Sequence, residues 1–388
     1  MLPATLNRLV CLGTITGLAA YGFLGFLTVR PNRLASGISF KFWETAAGWE
    51  AAVVILLWVS LLILGVWYAR SPRANLAMML IANLLLASIV WAAGHSAARI
   101  LAQESPLTRV SLGAGAWTML LMAYLVMLGI GPRLKRYRAV LGSLWLWLLL
   151  GLVMSGALDN LSLLQEWQDR KARFFLEMLQ HLTLAGMAVG LGSLVGIPLG
   201  IALYRKSLAR QLIFPLLNLI QTVPSLALFG LLIAPLAVLS DRFPLMKDLG
   251  LAGIGWTPAL IALTLYSLLP ITRNVHTSLT AIDPAVIEAG KGMGMSRGQL
   301  LHRVQLPLAA PLILNGVRIA AVQTIGNTAL AALIGAGGLG TFIFQGIGQS
   351  APDLILLGAL PVILLAVIAD GLMQQMINFA SPRGWSYG

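Results

Sequence analysis

Residues 180–203 read QHLTLAGMAVGLGSLVGIPLGIAL, and this stretch contains no Asp, Glu, Lys or Arg. A helix needs roughly 20 predominantly apolar residues to cross about 30 Å of hydrocarbon, so the stretch is long enough to span a membrane. Ala188, Gly192, Gly196 and Gly200 recur every four residues. They therefore share one helix face and predict a groove against which a second helix packs closely.

Similar apolar runs recur along the whole chain. Of the 388 residues, 58% are hydrophobic and 10% are charged, with a mean hydropathy of +0.86, whereas about a quarter of the residues in a soluble domain are charged. The sequence therefore predicts an all-α, polytopic membrane protein of about ten transmembrane helices. We place the spans near residues 9–29, 51–69, 75–95, 110–131, 139–158, 180–203, 211–239, 254–272, 309–334 and 354–378.

The net charge of +13 is spread in small groups between the apolar runs, which is typical of membrane topology and not of a nucleic-acid-binding domain. Placing both termini in the cytoplasm puts more Lys and Arg on the inner than on the outer side. We expect the first helix to be retained in the membrane and not cleaved as a signal peptide. The single cysteine, Cys11, excludes an intrachain disulfide, and the four histidines show no metal-ligand spacing.

A long polar stretch separates the eighth and ninth predicted spans, at residues 283–307 (DPAVIEAGKGMGMSRGQLLHRVQLP). Asp283 and Pro284 predict a helix start, which Gly292 and Gly294 then end. Ser296 and Gln299 form a capping-box pattern for a second short helix that we expect to end before Pro307. A helical hairpin on the cytoplasmic side indicates a surface that binds another protein.

The spacing within this hairpin resembles the EAA loop of ABC importer permeases. The matching residues are Glu288, Ala289, Gly290, Gly294, Val304, Leu306 and Pro307. Gly290 stands where the family usually has a second alanine. Four further stretches resemble the permeases for glycine betaine, choline, proline betaine and related osmoprotectants: LIQTVPSLAL (219–228), LYSLLPITRN (265–274), EAGKGMGM (288–295) and IGAGGLG (334–340).

This resemblance implies a domain organisation. Residues 179–380 would form a permease core of five helices, of the MetI-like type found in binding-protein-dependent importers, with residues 281–307 as its cytoplasmic coupling loop. Residues 1–160 would form an extra N-terminal block of about five helices, as in a subgroup of these permeases with an enlarged N-terminal membrane region. Between them, the charged and aromatic residues 161–178 predict an amphipathic linker on the periplasmic side, although an ordinary solvated loop fits equally well.

The resemblance also implies partners. The chain contains no GxxxxGK[ST] sequence, so two copies of a separate ATPase subunit would bind ATP and Mg, and this chain would bind no cofactor. A second permease chain, identical or homologous, would complete the path through the bacterial inner membrane. The glycine-rich loop with Gly335, Gly337, Gly338 and Gly340 would face a periplasmic or lipid-anchored solute-binding protein.

Polar residues inside predicted spans are candidates for the translocation path. Gln221, Thr222, Ser225 and Gln323 are such candidates, although polar groups in spans also bridge helices. Arg318 and Asp370 are the ionisable groups of the last two spans, and a charge at membrane depth is costly unless paired or hydrated. They fit a structural ion pair or a position on the substrate path.

Three alternatives remain open at the level of sequence. The coupling motif is shared with permeases for amino acids or methionine. An ion-coupled secondary transporter would be expected to show inverted repeats and midplane carboxylates. A membrane-embedded enzyme would be expected to show clustered His, Asp or Ser in its spans.

Overall fold

The computed structural model describes residues 7–33, 35–68, 71–105, 107–134, 138–243 and 254–381. These divide into two compact units. One comprises the described residues up to Asp169 together with Gln349–Asp353, and the other comprises those from Arg170 onward apart from that segment.

The first unit is mostly helical. Its helices are α1 (Arg8–Phe23), α2 (Phe42–Thr45), α3 (Gly48–Trp67), α4 (Pro72–Leu101), α5 (Ala114–Ile130), α6 (Arg138–Met154) and α7 (Ser162–Asp169). Trp58, Phe26, Phe42 and Met78 are among the fully buried side chains of its core. Gly17 faces the Trp58 ring so closely that a Cβ atom would lie 2.3 Å from it.

A small antiparallel sheet in this unit departs from the all-α prediction. Strand β1 (Leu27–Arg30) lies between β2 (Ile38–Phe40) and β3 (Arg109–Leu112), with Leu27 opposite both Phe40 and Leu112. The first predicted span is therefore wrong at its end, because the helix stops at Phe23 and Leu27–Arg30 is a strand. Thr28 and Val29 are β-branched and suit a strand, but apolar content alone does not separate a strand from the end of a helix.

The segment Gln349–Asp353 also belongs to the first unit, which the sequence does not indicate. The buried Asp353 carboxylate accepts a hydrogen bond from Ser111 of β3, and Gln349 accepts one from Arg33. Arg33 also forms an ion pair with the buried Glu166 of α7. Buried acidic groups are thus satisfied within this unit.

The described part of the second unit consists of helices whose lengths range from 4 to 35 residues. These are α8 (Lys171–Arg205), α9 (Ser207–Thr222), α10 (Ser225–Arg242), α11 (Trp256–Thr280), α12 (Pro284–Gly292), α13 (Arg297–Leu300), α14 (Leu306–Thr328), α15 (Gly340–Gly348) and α16 (Pro352–Ala380). Residues 171–178 of the predicted linker are the first turns of α8, since no Gly or Pro interrupts them.

The predicted groove on α8 is confirmed. Ala188, Gly192, Gly196 and Gly200 are all buried, and α11 lies against them. The Thr272 hydroxyl donates to the Gly196 carbonyl at 3.2 Å. A Cβ atom at Gly200 would lie 2.6 Å from Val275 Cβ. On another side of α11, a Cβ atom at Gly316 of α14 would lie 2.6 Å from Asn274 Cβ. Helix α11 is therefore packed between α8 and α14.

The predicted span at residues 211–239 is wrong, because two helices occupy it. Helix α9 ends at Thr222, Val223 and Pro224 are extended, and α10 begins at Ser225. Proline excludes the residue before it from the helical region and has no N–H to donate. Pro198 and Pro270, by contrast, lie inside continuous helices.

Within the described ranges, seven helical runs are long and apolar enough to cross a membrane, namely Gly48–Trp67, Pro72–Leu101, Ala114–Arg133, Lys171–Arg205, Ser225–Arg242, Arg297–Ile334 and Pro352–Ala380. Two shorter apolar helices are Arg8–Phe23 and Val140–Met154. The polytopic, almost entirely helical fold class is confirmed, whereas the count of ten spans is not.

Candidate functional site

The polar hairpin begins as the sequence predicts. Asp283 caps α12, its carboxylate accepting the Ala285 backbone N–H at 2.8 Å, and Pro284 occupies the first helical turn. This cap satisfies one of the backbone donors that every helix leaves free at its start. The start of the hairpin is therefore fixed by local chemistry.

Helix α12 ends in a Schellman motif. Gly294 has φ of 76°, its N–H donates to the Lys291 carbonyl at 2.9 Å, and the Met295 N–H donates to the Gly290 carbonyl at 3.2 Å. This pair of bonds needs a left-handed residue after the helix, a role that glycine fills without steric cost. Gly294 therefore reverses the chain between the two arms of the hairpin.

Gly290 is the point at which the two arms touch. It is buried, and a Cβ atom there would lie 2.6 Å from Leu300 Cδ1. The family that the hairpin resembles usually has alanine at this position. Here Leu300 comes so close that glycine fits better than alanine. The neighbouring Glu288 and Ala289 are exposed.

The second arm starts with the expected capping box. The Ser296 N–H donates to the Gln299 side chain at 2.9 Å, and the Gln299 N–H donates to the Ser296 hydroxyl at 3.3 Å. The expectation that this helix ends before Pro307 is wrong, because a π-helical turn (Leu301–Gln305) leads directly into α14. In that turn the Leu306 N–H bonds back to the Leu301 carbonyl, and such wider turns are frequent at functional sites.

The hairpin surface combines charge with exposed apolar groups. Val286 is 38% exposed and Met293 is 74% exposed, and Lys291 and Arg297 are exposed beside them. Val304 and Leu306 are partly buried at the base, and Pro307 is exposed. Exposed methionine adapts well to a partner surface.

The glycine loop, residues 335–340, is the second candidate region. Gly335, Gly337 and Gly338 have φ values of 80°, 72° and 88°, which glycine adopts readily. Gly340 begins α15, where a Cβ atom would lie 1.8 Å from the Ala329 carbonyl oxygen. Only glycine therefore fits at Gly340.

Three side chains from the first turns of α8 surround this loop. The Glu177 carboxylate accepts the Gly338 N–H at 2.7 Å and the Thr341 hydroxyl at 3.3 Å. A Cβ atom at Gly337 would lie 2.2 Å from the Gln180 amide oxygen. His181 is fully buried and its Nε2–H donates to the Ile325 carbonyl at 3.0 Å.

The predicted path residues occupy different environments. Gln221 donates to the Tyr266 carbonyl at 2.6 Å, and the Tyr266 hydroxyl donates to the Val223 carbonyl. These bonds support the break between α9 and α10. Thr222 bonds back to Leu219 in its own helix, and Ser225 and Gln323 are partly exposed.

Arg318 and Asp370 are brought together by α14 and α16. The guanidinium donates to both carboxylate oxygens, at 2.6 and 2.8 Å, and also to the Gln374 side chain. Their side chains are 28% and 41% exposed. Bidentate geometry of this kind is the strongest form of an Arg–carboxylate contact.

The sequence does not mark Glu177 or Tyr266 as functional candidates. Glu177 lies in a charged segment that fits a solvated surface, and its distant partners Gly338 and Thr341 distinguish it from the surrounding charges. No group of three or more His, Cys, Asp or Glu residues that could hold a metal ion occurs in the part of the chain that the structure describes.

Comparison with known proteins identifies two family signatures. Residues 7–164 match the family described as "ABC transporter permease YehY, N-terminal domain". Residues 188–378 match "Binding-protein-dependent transport system inner membrane component". The two matches fall in the N-terminal and C-terminal parts of the chain.

Individual relatives are permeases. The osmoprotectant import permease protein OsmW of Salmonella typhimurium is 42% identical over 205 residues, which are 53% of this chain and 90% of that protein. The choline transport system permease protein OpuBB of Bacillus subtilis is 36% identical over 222 residues, 57% of this chain and 95% of that protein. Among solved structures, an inward-facing MetNI methionine ABC transporter aligns with 54% of this chain and 96% of its own, at 21% identity and a TM-score of 0.47.

Such relatives function in the inner membrane with an ATPase and a substrate-binding partner. A match at 42% identity along nine-tenths of a curated relative, together with the signature over residues 188–378, assigns the family. This chain is a member of the ABC importer permeases, the inner-membrane components of binding-protein-dependent transport systems.

Proposed function

We propose that this chain forms the translocation path for a small osmoprotectant such as glycine betaine, choline or proline betaine. The observation that carries this proposal is the 42% identity to a permease named for osmoprotectant import. The stretches 219–228, 265–274 and 334–340, which resemble osmoprotectant permeases, support the same substrate class. Permeases for methionine or other amino acids are the alternative, since they share the coupling hairpin.

The hairpin is the proposed contact with the ATPase. Glu288, Ala289, Gly290, Gly294, Val304, Leu306 and Pro307 would form this coupling element, whose exposed Met293 and Val286 supply apolar area for a partner groove. Two ATPase subunits would bind ATP and Mg, and closure of these subunits would move the hairpins of two permease chains, identical or homologous. The positive-inside distribution supports cytoplasmic termini and a cytoplasmic hairpin.

The other predicted segments and residues would have the following roles in the transporter. Residues 179–380 would form the permease core and residues 1–160 an accessory membrane block joined to it by the periplasmic linker 161–178. Gln221, Thr222, Ser225 and Gln323 would line the path, and the glycine loop would face a periplasmic or lipid-anchored solute-binding protein. Membrane lipid would contact the exposed apolar faces.

Uptake by a reconstituted complex tests the substrate class. The full chain is co-expressed with its ATPase, reconstituted in liposomes with ATP inside and supplied with the solute-binding protein outside. We expect uptake of radiolabelled glycine betaine or choline that stops when ATP is replaced by a non-hydrolysable analogue. Uptake of methionine instead would contradict the substrate class, and uptake driven by an ion gradient without the ATPase would contradict the whole assignment.

The Arg318–Asp370 ion pair should behave as a structural link between α14 and α16. Asp370→Asn leaves Arg318 without its counter-charge inside a predicted span, where an unpaired charge is costly. We expect a lower apparent melting temperature in detergent for either Asp370→Asn or Arg318→Gln alone.

The double variant is the control for this pair. Since Arg318→Gln with Asp370→Asn removes both charges, we expect it to melt above either single variant. Additive losses in the double variant would argue against a coupled pair. Loss of uptake in the double variant without loss of stability would place the pair on the substrate path instead.

A further inference from the structure

We propose that Glu177 is the positioning residue of the glycine loop, and that its carboxylate holds residues 335–340 in the conformation from which α15 starts. The inference rests on the proposed function only for its consequence, which is presentation of the loop to the solute-binding protein. The contacts that position the loop all lie within the second unit.

Backbone hydrogen bonds fix the start of the loop, where the Gly335 N–H donates to the Ala332 carbonyl and the Ala336 N–H to the Ala331 carbonyl, both at 3.1 Å. The rest of the loop is rich in glycine. Three of its six residues are glycines with positive φ, and glycine loses more conformational freedom on folding than any other residue. The carbonyl of Gly338 accepts the Thr341 N–H at 2.9 Å, while the Gly338 N–H points outward to Glu177. The bond to Glu177 is therefore an anchor supplied from another helix.

The hydrogen bonds of the Glu177 carboxylate to the loop should contribute more than ordinary neutral hydrogen bonds. Glu177 is only 7% exposed, and hydrogen bonds to an ionised group contribute more than those between neutral groups. The same oxygen, Oε2, accepts both the Gly338 N–H and the Thr341 hydroxyl. One carboxylate thus ties the loop to the first turn of α15.

Neighbouring side chains fit the loop around this anchor. A Cβ atom on Gly338 would lie 3.2 Å from His181 Nδ1, and one on Gly337 would overlap Gln180. The ring centroids of Phe174 in α8 and Phe342 in α15 lie 6.1 Å apart. Together they show that the start of α8 is shaped to receive this loop.

The site lies beyond the apolar part of α8. This helix has 35 residues, which is roughly 52 Å at 1.5 Å per residue and longer than the about 30 Å of hydrocarbon it has to cross. Glu177 is in its second turn, beside the charged residues Arg173 and Lys171. A carboxylate at this level can be retained at modest cost because it is hydrogen-bonded.

Arg173 provides a matched control. Its Nε lies 3.3 Å from Glu177 Oε1, the oxygen that does not bind the loop, and its side chain is 48% exposed. Exposed pairs of this kind contribute little stability. Arg173→Gln therefore removes the neighbouring charge and leaves the bonds to Gly338 and Thr341 in place.

Hydrogen–deuterium exchange of the peptide covering residues 335–341 tests the proposal, with the full chain assembled with its ATPase in nanodiscs. Glu177→Leu should speed exchange of the Gly338 amide about tenfold or more, as loss of a hydrogen bond to a charged group implies. Glu177→Gln keeps an acceptor oxygen without the charge, so the Gly338 amide should exchange at a rate between those of wild type and Glu177→Leu. This variant replaces Glu177→Leu in the test if the leucine variant fails to assemble. Arg173→Gln should exchange like wild type.

Exchange in Glu177→Leu and Glu177→Gln equal to wild type would overturn the positioning role, as would equal acceleration in Arg173→Gln. The concentration of ligand-loaded binding protein needed for half-maximal ATPase stimulation is a separate measurement, which we expect to rise in the Glu177 variants. Faster exchange with no such rise would support the positioning role and contradict only the assignment of the loop to the binding protein.

Discussion

Gly294→Val is expected to abolish stimulation of ATP hydrolysis by the solute-binding protein while the complex still inserts in the membrane. Gly294 adopts a φ of 76°, and a left-handed conformation costs a residue with a Cβ roughly 1–2 kcal/mol, more for a β-branched side chain. That amount changes the ratio of folded to unfolded molecules by a factor of about 5–30. The Schellman motif would open, and the two arms of the hairpin would lose their fixed angle.

Two further variants make this a test of backbone geometry. Gly298→Val places the same side chain on an exposed, helical glycine of the same hairpin, where a Cβ atom meets nothing within 4 Å, so the hairpin backbone should keep its shape. Loss of stimulation in this variant too would assign the effect to side-chain bulk on the docking surface and not to the backbone of Gly294. Gly294→Asn should retain part of the activity, because asparagine tolerates the left-handed region. Full stimulation in Gly294→Val, measured as phosphate release by the purified complex, would contradict the requirement for this backbone geometry in coupling.

Gly200→Leu is expected to prevent stable packing of α8 against α11. A Cβ atom at Gly200 would lie 2.6 Å from Val275 Cβ and 2.9 Å from the Thr272 carbonyl oxygen. Extra methylene groups in a packed core cost about 1–3 kcal/mol, and contact with backbone leaves little room for relief. We expect a low yield and a clearly reduced apparent melting temperature in detergent.

Two exposed glycines of α8 provide controls for the Gly200 variant. Gly186 and Gly190 are exposed on α8, and a Cβ atom at either meets nothing within 4 Å. Leucine at these two positions adds the same apolar volume, so Gly186→Leu and Gly190→Leu should melt like wild type. If all three variants were equally unstable, general crowding of α8 and not the Gly200 contact would be the cause.

Much of the polar hairpin follows from its sequence. Asp283, Ser296 and Gln299 act through partners two or three residues away, so composition and spacing suffice to predict them. The small-residue face of α8 is likewise periodic. The break at Pro224 does not follow from the sequence, because Pro198 and Pro270 show that a proline within an apolar run also occurs inside a continuous helix.

The sequence by itself determined the membrane-embedded helical class, the groove on α8, the two capped arms of the hairpin and the family, because each depends on local periodicity or on a contiguous motif. Only the tertiary structure decided that Glu177 binds Gly338, 161 residues away, and that Asp370 faces Arg318 across 52 residues. It also decided that residues 27–30 pair with strands on both sides. These contacts join residues far apart in the chain, and their partners are selected by how whole helices and strands pack.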